Sequence, residues 1–114
     1  MKLLGSKTES QFREELQRSN EALQNPDSKL RKVLERGGHN IQSAYVLHYI
    51  PEQLEDLYTV LVSCSYLLEI EIDKYDDSIP PIVKRRELKS YLIGLSKVNQ
   101  IRLATAYDLA STKT

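Results

Sequence analysis

The chain has 114 residues, of which 40% are hydrophobic and 28% are charged. This length and composition suit one globular domain with its own core, and they exclude wholesale disorder, a fibrous repeat or a membrane-spanning protein. A single cysteine excludes an internal disulfide, and the N-terminal residues do not read as a secretion signal, so we expect a cytoplasmic protein with no membrane partner.

The net charge of zero conceals an uneven distribution along the chain. Residues 1–40 carry eight Lys/Arg and six Asp/Glu. Residues 41–77 carry one Lys/Arg and eight Asp/Glu, and residues 78–114 carry seven Lys/Arg and two Asp/Glu. The three parts therefore have net charges of +2, −7 and +5. An acidic middle and a basic C-terminal third predict surface patches of opposite sign rather than one uniformly charged surface.

Two helices are predicted in the first forty residues. Ser6 and Glu9 fit a capping box at the start of the first helix. An apolar row with one serine follows at helical spacing: Phe12, Leu16, Ser19 and Leu23. For the second helix, Asn25 is the predicted cap and Pro26 the first residue, and Gly37-Gly38 ends it.

The middle third changes to the β-branched and aromatic residues that favour strands. Three strands are predicted, over residues 41–50, 57–62 and 67–73. The third alternates, with apolar residues on one face and Glu69, Glu71 and Asp73 on the other, outward-looking face. The short segment between the second and third strands predicts an antiparallel hairpin, and residues 74–82 predict a loop.

The C-terminal third is predicted to hold two helices, the second capped by Ser96 and buried on more than one side. The fold class is therefore α+β: a three-stranded antiparallel β-meander with helices before and after it packed on one face, in the order α-α-β-β-β-α-α. The predicted core comprises Leu30, Val33, Leu34, Val60, Val62, Leu68, Ile70, Ile72, Leu92 and Leu95.

The sequence shows no common catalytic or cofactor-binding motif. His39, His48 and Cys64 are separated and form neither a nucleophile pattern nor a zinc-site pattern, and the scattered glycines form no phosphate-binding loop. No cofactor is expected. One enzymatic alternative stays open, a metal-dependent enzyme that uses the Glu69/Glu71/Asp73 cluster, because carboxylates two residues apart on a strand can converge on a divalent cation.

The acidic middle third predicts a small non-enzymatic interaction protein whose acidic sheet face binds a basic protein partner. An immunity- or antitoxin-type inhibitor is one version, because nuclease active sites are basic and complementary charge steers association. Seven tyrosines against one phenylalanine also favour a contact surface. The candidate partner-binding residues are Glu52, Glu55, Asp56, Glu69, Glu71, Asp73, Asp76 and Asp77, with Tyr66 and Tyr75 as anchors.

An alternative function uses the opposite charge, in RNA or DNA binding. The run Lys84-Arg85-Arg86 is predicted to open the penultimate helix, where cations oppose the helix dipole and call for an anionic neighbour. That neighbour is the acidic loop of the same chain, a second copy in a homo-oligomer, or a nucleic-acid backbone. The candidate nucleic-acid-binding residues are Lys84, Arg85, Arg86, Lys89, Lys97 and Arg102.

Parts of the chain resemble a double-stranded-RNA-binding domain, a family with the order α-β-β-β-α. Residues 26–37 are similar to its first helix, residues 58–62 to its second strand, and Ser96-Lys97 to the start of its RNA-contacting last helix. The resemblance implies RNA binding through that last helix. The family's Gly-Pro-x-His loop is absent, and the acidic residues 50–56 stand in its place.

Overall fold

A computed structural model of the chain describes residues 7–112, which form helices on both sides of one antiparallel sheet. The elements in chain order are α1 (Lys7–Ala22), α2 (Lys29–Arg36), a 3₁₀ turn (Ile41–Ser43), β1 (Ala44–Pro51), β2 (Glu55–Val62), β3 (Tyr66–Asp73), β4 (Ile82–Glu87), α3 (Leu88–Leu92) and α4 (Lys97–Ser111). The strand order in the sheet is β1-β2-β3-β4. Within the described residues, no helix is long and apolar enough to cross a membrane.

The predicted α+β class and the hairpin between β2 and β3 are confirmed. Val62 faces Tyr66 in the antiparallel register, and the N–H of Ser65 donates to the carbonyl of Val62 at 3.0 Å. Ser63 and Cys64 both have positive φ, of 51° and 59°. Two successive positive φ angles match the twist of the flanking strands, as in a type I′ turn, although this turn lacks the usual glycine and so carries some backbone strain.

A fourth strand corrects the prediction of a three-stranded sheet. β4 occupies residues for which the sequence predicted the end of a loop and the start of a helix, and it pairs antiparallel with β3. The β-branched pair Ile82-Val83 favours extended backbone, and the register places Lys84 directly opposite Glu69 of β3. The basic run therefore lies on a strand beside an acidic residue of β3, and does not oppose a helix dipole.

Helices pack on both faces of the sheet, which corrects the prediction that they lie on one face. One face, called here the α1/α4 face, contains Leu61 and Leu67 and packs against α1 and α4. The opposite face, called the α2 face, contains Val60 and Leu68 and packs against Leu34 and its neighbours. In this part of β2 and β3 the residues on both faces are apolar, so helices on one face alone would leave the apolar residues of the other face exposed.

Most of the predicted core is buried, and the remainder packs against it. The buried residues are Leu30, Leu34, Val60, Val62, Leu68, Ile70 and Ile72. The half-buried ones are Val33, Leu92 and Leu95. The prediction that the last helix is buried on several sides is confirmed by Leu103, Ala106 and Ala110, which have no exposed surface.

The helix starts follow capping side chains, with one correction. Ser96 caps α4 as predicted, since its Oγ accepts from the Asn99 N–H at 3.2 Å. α2 begins later than predicted because Ser28 caps it, whereas the Asn25 side chain accepts from the Asp27 N–H within the preceding turn. The predicted cap of α1, Ser6, lies outside the described residues.

The end of α1 is hydrogen-bonded to the segment that leads into β1. Nδ2 of the buried Asn20 donates to three carbonyl oxygens, those of Ile41, Gln42 and Ala44, at 3.3, 3.1 and 2.9 Å. The neighbouring Ser19 Oγ accepts from the Val46 N–H at 3.1 Å. Because β1 is an edge strand, this bond satisfies an amide that the sheet itself leaves unpaired.

The α1–β1 contact predicts a large stability effect at Asn20. Asn20→Ala removes the donor to these three carbonyls, of which the Ala44 carbonyl accepts a buried hydrogen bond, so the free energy of unfolding should fall by about 1–3 kcal/mol in urea denaturation followed by circular dichroism. Gln17→Ala is the matched control on an exposed face of the same helix and should change stability by less than about 0.5 kcal/mol. Equal stabilities of the two variants would show that these hydrogen bonds do not stabilise the fold.

Candidate functional site

Helices α1 and α4 cover only part of their sheet face, and the rest of that face is open. The uncovered part, called here the open half-face, forms a groove of about 220 Å³. Its side chains come from all four strands: His48, Ile50, Leu57, Thr59, Glu69, Glu71, Ile82 and Lys84. A shallow surface of this kind suits contact with another macromolecule better than enclosure of a small ligand.

A bulge in β1 marks the boundary between the covered and open parts. The register passes from Val46 opposite Val60 to His48 opposite Thr59, which leaves Leu47 as an extra residue. Leu47 belongs to the core beneath α1 and α4, whereas His48 lines the groove. The bulge therefore turns the end of β1 away from the helices.

Arg102 of α4 forms a hydrogen bond with the backbone at this bulge. Its Nη1 donates to the Leu47 carbonyl at 3.0 Å, and its guanidinium carbon lies 4.4 Å from the centroid of the Phe12 ring. The cation is thus held between α1, α4 and β1. Arg102 therefore has a structural role in the fold.

The open half-face combines acidic side chains of β2 and β3 with basic ones of β4. Strand alternation and register assign these charged residues to it: Glu55, Glu69, Glu71, Asp73 and Lys84. Arg86 lies on the same face opposite the covered Leu67. Glu69 Oε1 accepts from Arg86 Nη1 at 3.1 Å. The acids outnumber the bases, so the surface remains negative, although β4 neutralises part of the charge predicted for it.

The other residues predicted to bind a partner are placed elsewhere. Asp56 and Tyr66 lie on the α2 face, Glu52 lies in the exposed β1–β2 turn, and Tyr75, Asp76 and Asp77 lie in the loop between β3 and β4. Asp77 pairs with Lys29 of α2 at 3.1 Å, and Asp56 pairs with Lys74 at 3.5 Å. Asp77 therefore brings this loop into contact with α2.

The two predicted tyrosine anchors have different environments. The Tyr66 hydroxyl is 2.6 Å from His39 Nδ1, and the Arg85 guanidinium carbon is 3.9 Å from the Tyr66 ring centroid. Desolvation and the charge of Arg85 lower the pKa of His39, which favours the neutral imidazole. Tyr66 is thus engaged within the fold, whereas Tyr75 is 77% exposed.

The basic residues of the nucleic-acid alternative are divided between the two faces of the sheet. Alternation along β4 puts Lys84 and Arg86 on the α1/α4 face and Arg85 on the α2 face. Lys89 lies on α3, and Lys97 lies in the first turn of α4. Together with the internal position of Arg102, this arrangement breaks up the basic run that the linear sequence displays.

The carboxylates of β3 do not converge on a common point. Among residues 7–112, no three His, Cys, Asp or Glu side chains are close enough to hold a metal ion together. Cys64 is also poorly suited to nucleophilic chemistry, because desolvation raises the pKa of its thiol and its Sγ donates to the Tyr107 carbonyl at 3.2 Å.

The apolar part of the site was missed in the sequence. Large exposed apolar residues gather at the end of the sheet that includes the open half-face: Tyr49, Ile50, Leu54, Tyr75, Ile79, Ile82 and Val83. The available signal was Ile82-Val83 directly after two prolines, which is typical of a strand start. Recognising that strand would have placed Ile82 beside the acidic row of β3.

Comparison of the chain with protein families, with curated proteins and with solved structures finds no match. The resemblance to a double-stranded-RNA-binding domain implies the order α-β-β-β-α, whereas β4 and α3 lie between β3 and α4 in this chain. The helices corresponding to that family's first and last helices, α2 and α4, pack on opposite faces of the sheet.

The two histidines predict a loss of stability below neutral pH. Desolvation and the charge of Arg102 lower the pKa of His48, and the pKa of His39 is lowered as well. The unfolded chain therefore binds protons more readily than the folded chain. The free energy of unfolding should fall as the pH drops through the ordinary histidine pKa of about 6.5.

Urea denaturation across this pH range at constant ionic strength measures the effect. The variant His39→Gln/His48→Gln should flatten the pH dependence, whatever its absolute stability. Asp76 does not affect this pH dependence, because hydrogen bonds from Ser78 lower its pKa below the ordinary value of 3.8. The stability that its carboxylate contributes is lost only at a pH below the histidine range. A slope that persists in the double variant would contradict the assignment to these histidines.

Proposed function

We propose that this chain is a cytoplasmic, non-enzymatic interaction protein that binds a basic protein partner through the open half-face. The observation that supports it most is the juxtaposition of exposed apolar and acidic side chains on a sheet surface that the described helices leave uncovered. Ile50 and Ile82 are 52% and 50% exposed, and they line the same groove as Glu69 and Glu71. Apolar contact area bordered by charge is typical of protein interfaces.

The charge of the open half-face favours a basic partner. Its acids project from paired strands, which fixes their spacing before the partner arrives. A fixed negative surface accelerates encounter with a positive one and disfavours acidic competitors. An inhibitor of a nuclease, of the immunity or antitoxin type, is the version that best exploits this charge, because the phosphate-binding site of a nuclease is basic.

Nucleic-acid binding has less support. Arg86 is paired with Glu69, Arg85 covers the Tyr66 ring, and Arg102 is used inside the fold. These contacts reduce the number of cations that could face a phosphate backbone together. The metal-dependent alternative has less support still, because the β3 carboxylates lack a third converging ligand in the described part of the chain.

The proposal predicts that neutralising the open half-face abolishes capture of the partner. Glu55→Gln/Glu71→Gln removes two charges from this surface, and Glu15→Gln/Glu21→Gln removes two from the exposed side of α1 as a matched control. Tagged wild type and variants are compared by affinity capture from nuclease-treated lysate. We expect one basic protein to be retained by the wild type and the control and lost by the open half-face variant.

Association kinetics with that protein provide the second measurement. Glu55→Gln/Glu71→Gln should slow association roughly tenfold at low salt and reduce its salt dependence, since these charges act on the encounter rate. Unchanged thermal stability shows that the variant is folded. Capture that is insensitive to this variant would overturn the proposal. So would capture that occurs only from lysate without nuclease treatment and is lost in Lys84→Gln/Arg85→Gln/Arg86→Gln, a result that would favour nucleic-acid binding.

A further inference from the structure

β4 forms an open edge of the sheet. It is the last strand in the sheet order, and all six of its residues are exposed. An edge strand leaves alternate N–H and C=O groups unpaired on its outer side. At the other edge, Ser19 occupies the Val46 N–H, whereas within residues 7–112 no side chain or further strand is hydrogen-bonded to the outer backbone of β4.

The basic residues of β4 flank this edge without blocking it. On the α2 face, the Arg85 guanidinium carbon lies 3.9 Å from the Tyr66 ring centroid. On the α1/α4 face, Arg86 donates to Glu69 at 3.1 Å and lies over Tyr91 at 5.4 Å from its ring centroid. Both guanidinium groups are therefore directed back onto the sheet, and the line of backbone groups stays accessible.

We propose that the β4 edge accepts an extended acidic segment of a partner protein as a fifth strand of the sheet. Side chains directly opposite on paired strands are about 4.5–5.5 Å apart at Cβ, close enough for opposite charges to stabilise the pair. Three successive acidic residues would lie beside Lys84, Arg85 and Arg86 on alternating faces. Apolar residues at the next two positions would lie beside Ile82 and Val83, which are 50% and 42% exposed.

The charge pattern disfavours a second copy of this chain as the occupant. Residues directly opposite each other on paired strands lie on the same face, so antiparallel pairing of two β4 strands about their centre places Lys84 opposite Lys84, or Arg85 opposite Arg85, of the other copy. Like charges directly opposite destabilise a strand pair. The same cations that prevent self-pairing of an exposed edge thus select an acidic strand, and they do so at the outer edge of β4, which borders the open half-face.

A labelled synthetic peptide, Thr-Glu-Glu-Glu-Val-Ile-Thr, tests the proposal on the full chain by fluorescence anisotropy and amide NMR. The peptide is written in the direction that pairs antiparallel with β4. We expect it to bind, to shift the amide signals of β4 and to slow hydrogen exchange of the outward-facing N–H groups there. The charge-reversed peptide Thr-Lys-Lys-Lys-Val-Ile-Thr should not bind.

Backbone methylation of the peptide separates strand addition from simple charge attraction. Only alternate N–H groups of an added strand point toward β4, so methylating one alternate set should weaken binding by roughly tenfold or more, and methylating the other set should change it little. On the protein, Lys84→Gln/Arg85→Gln should weaken binding several-fold, whereas the matched α2 variant Lys29→Gln/Lys32→Gln should not.

Three results would overturn the proposal. The first is equal binding by both methylated peptides, which would mean electrostatic attachment without strand pairing. The second is a set of shifted amides centred on α2 or on the open half-face rather than on β4. The third is failure of the acidic peptide to bind while sedimentation shows salt-sensitive self-association, which would assign the edge to a second copy. Glu55→Gln/Glu71→Gln is expected to leave peptide binding intact, so this test and the test of the proposed function fail independently.

Discussion

The end of α1 is held against the start of β1 by Ser19 and Asn20, and the two-faced core depends on this contact. Phe12 and Leu16 precede it and pack on the α1/α4 face, whereas Leu23 follows it and packs on the α2 face. One helix and its end therefore contribute to both cores by crossing the edge of the sheet. Polar side chains are required at the crossing because the edge backbone would otherwise be buried without hydrogen bonds.

The second constraint is the β1 bulge, which determines where helix cover ends. Arg102 donates to the carbonyl of the extra residue Leu47 and packs on Phe12, so α1, α4 and the bulge are fixed to one another. Beyond this point the sheet extends without helices on the α1/α4 face, and His48 and Ile50 line the groove instead of a core. Arg102, which belongs to the basic C-terminal third of the sequence, thus helps to fix the point at which the acidic open half-face begins.

Elements with local periodicity could be predicted from the sequence, whereas those fixed by distant partners could not. The apolar row of α1 and the alternation of β3 are local patterns, and both are confirmed. β4 was missed because its basic run is paired through distant residues, such as Glu69, which lies seventeen residues before Arg86. The same limit applies to the candidate site: its β3 acids share a face as predicted, but Lys84 and Ile82 join them only through that long-range register.

The charge layout of the sheet follows from this register. Glu69 and Arg86 are each 43% exposed in their ion pair, and pairs exposed to that extent contribute only about 0–1 kcal/mol. The pair therefore adds little to the stability that backbone pairing of β3 and β4 provides. Backbone pairing holds the strands together while the charges above them remain available, which is how one small sheet presents an acidic face and a basic edge side by side.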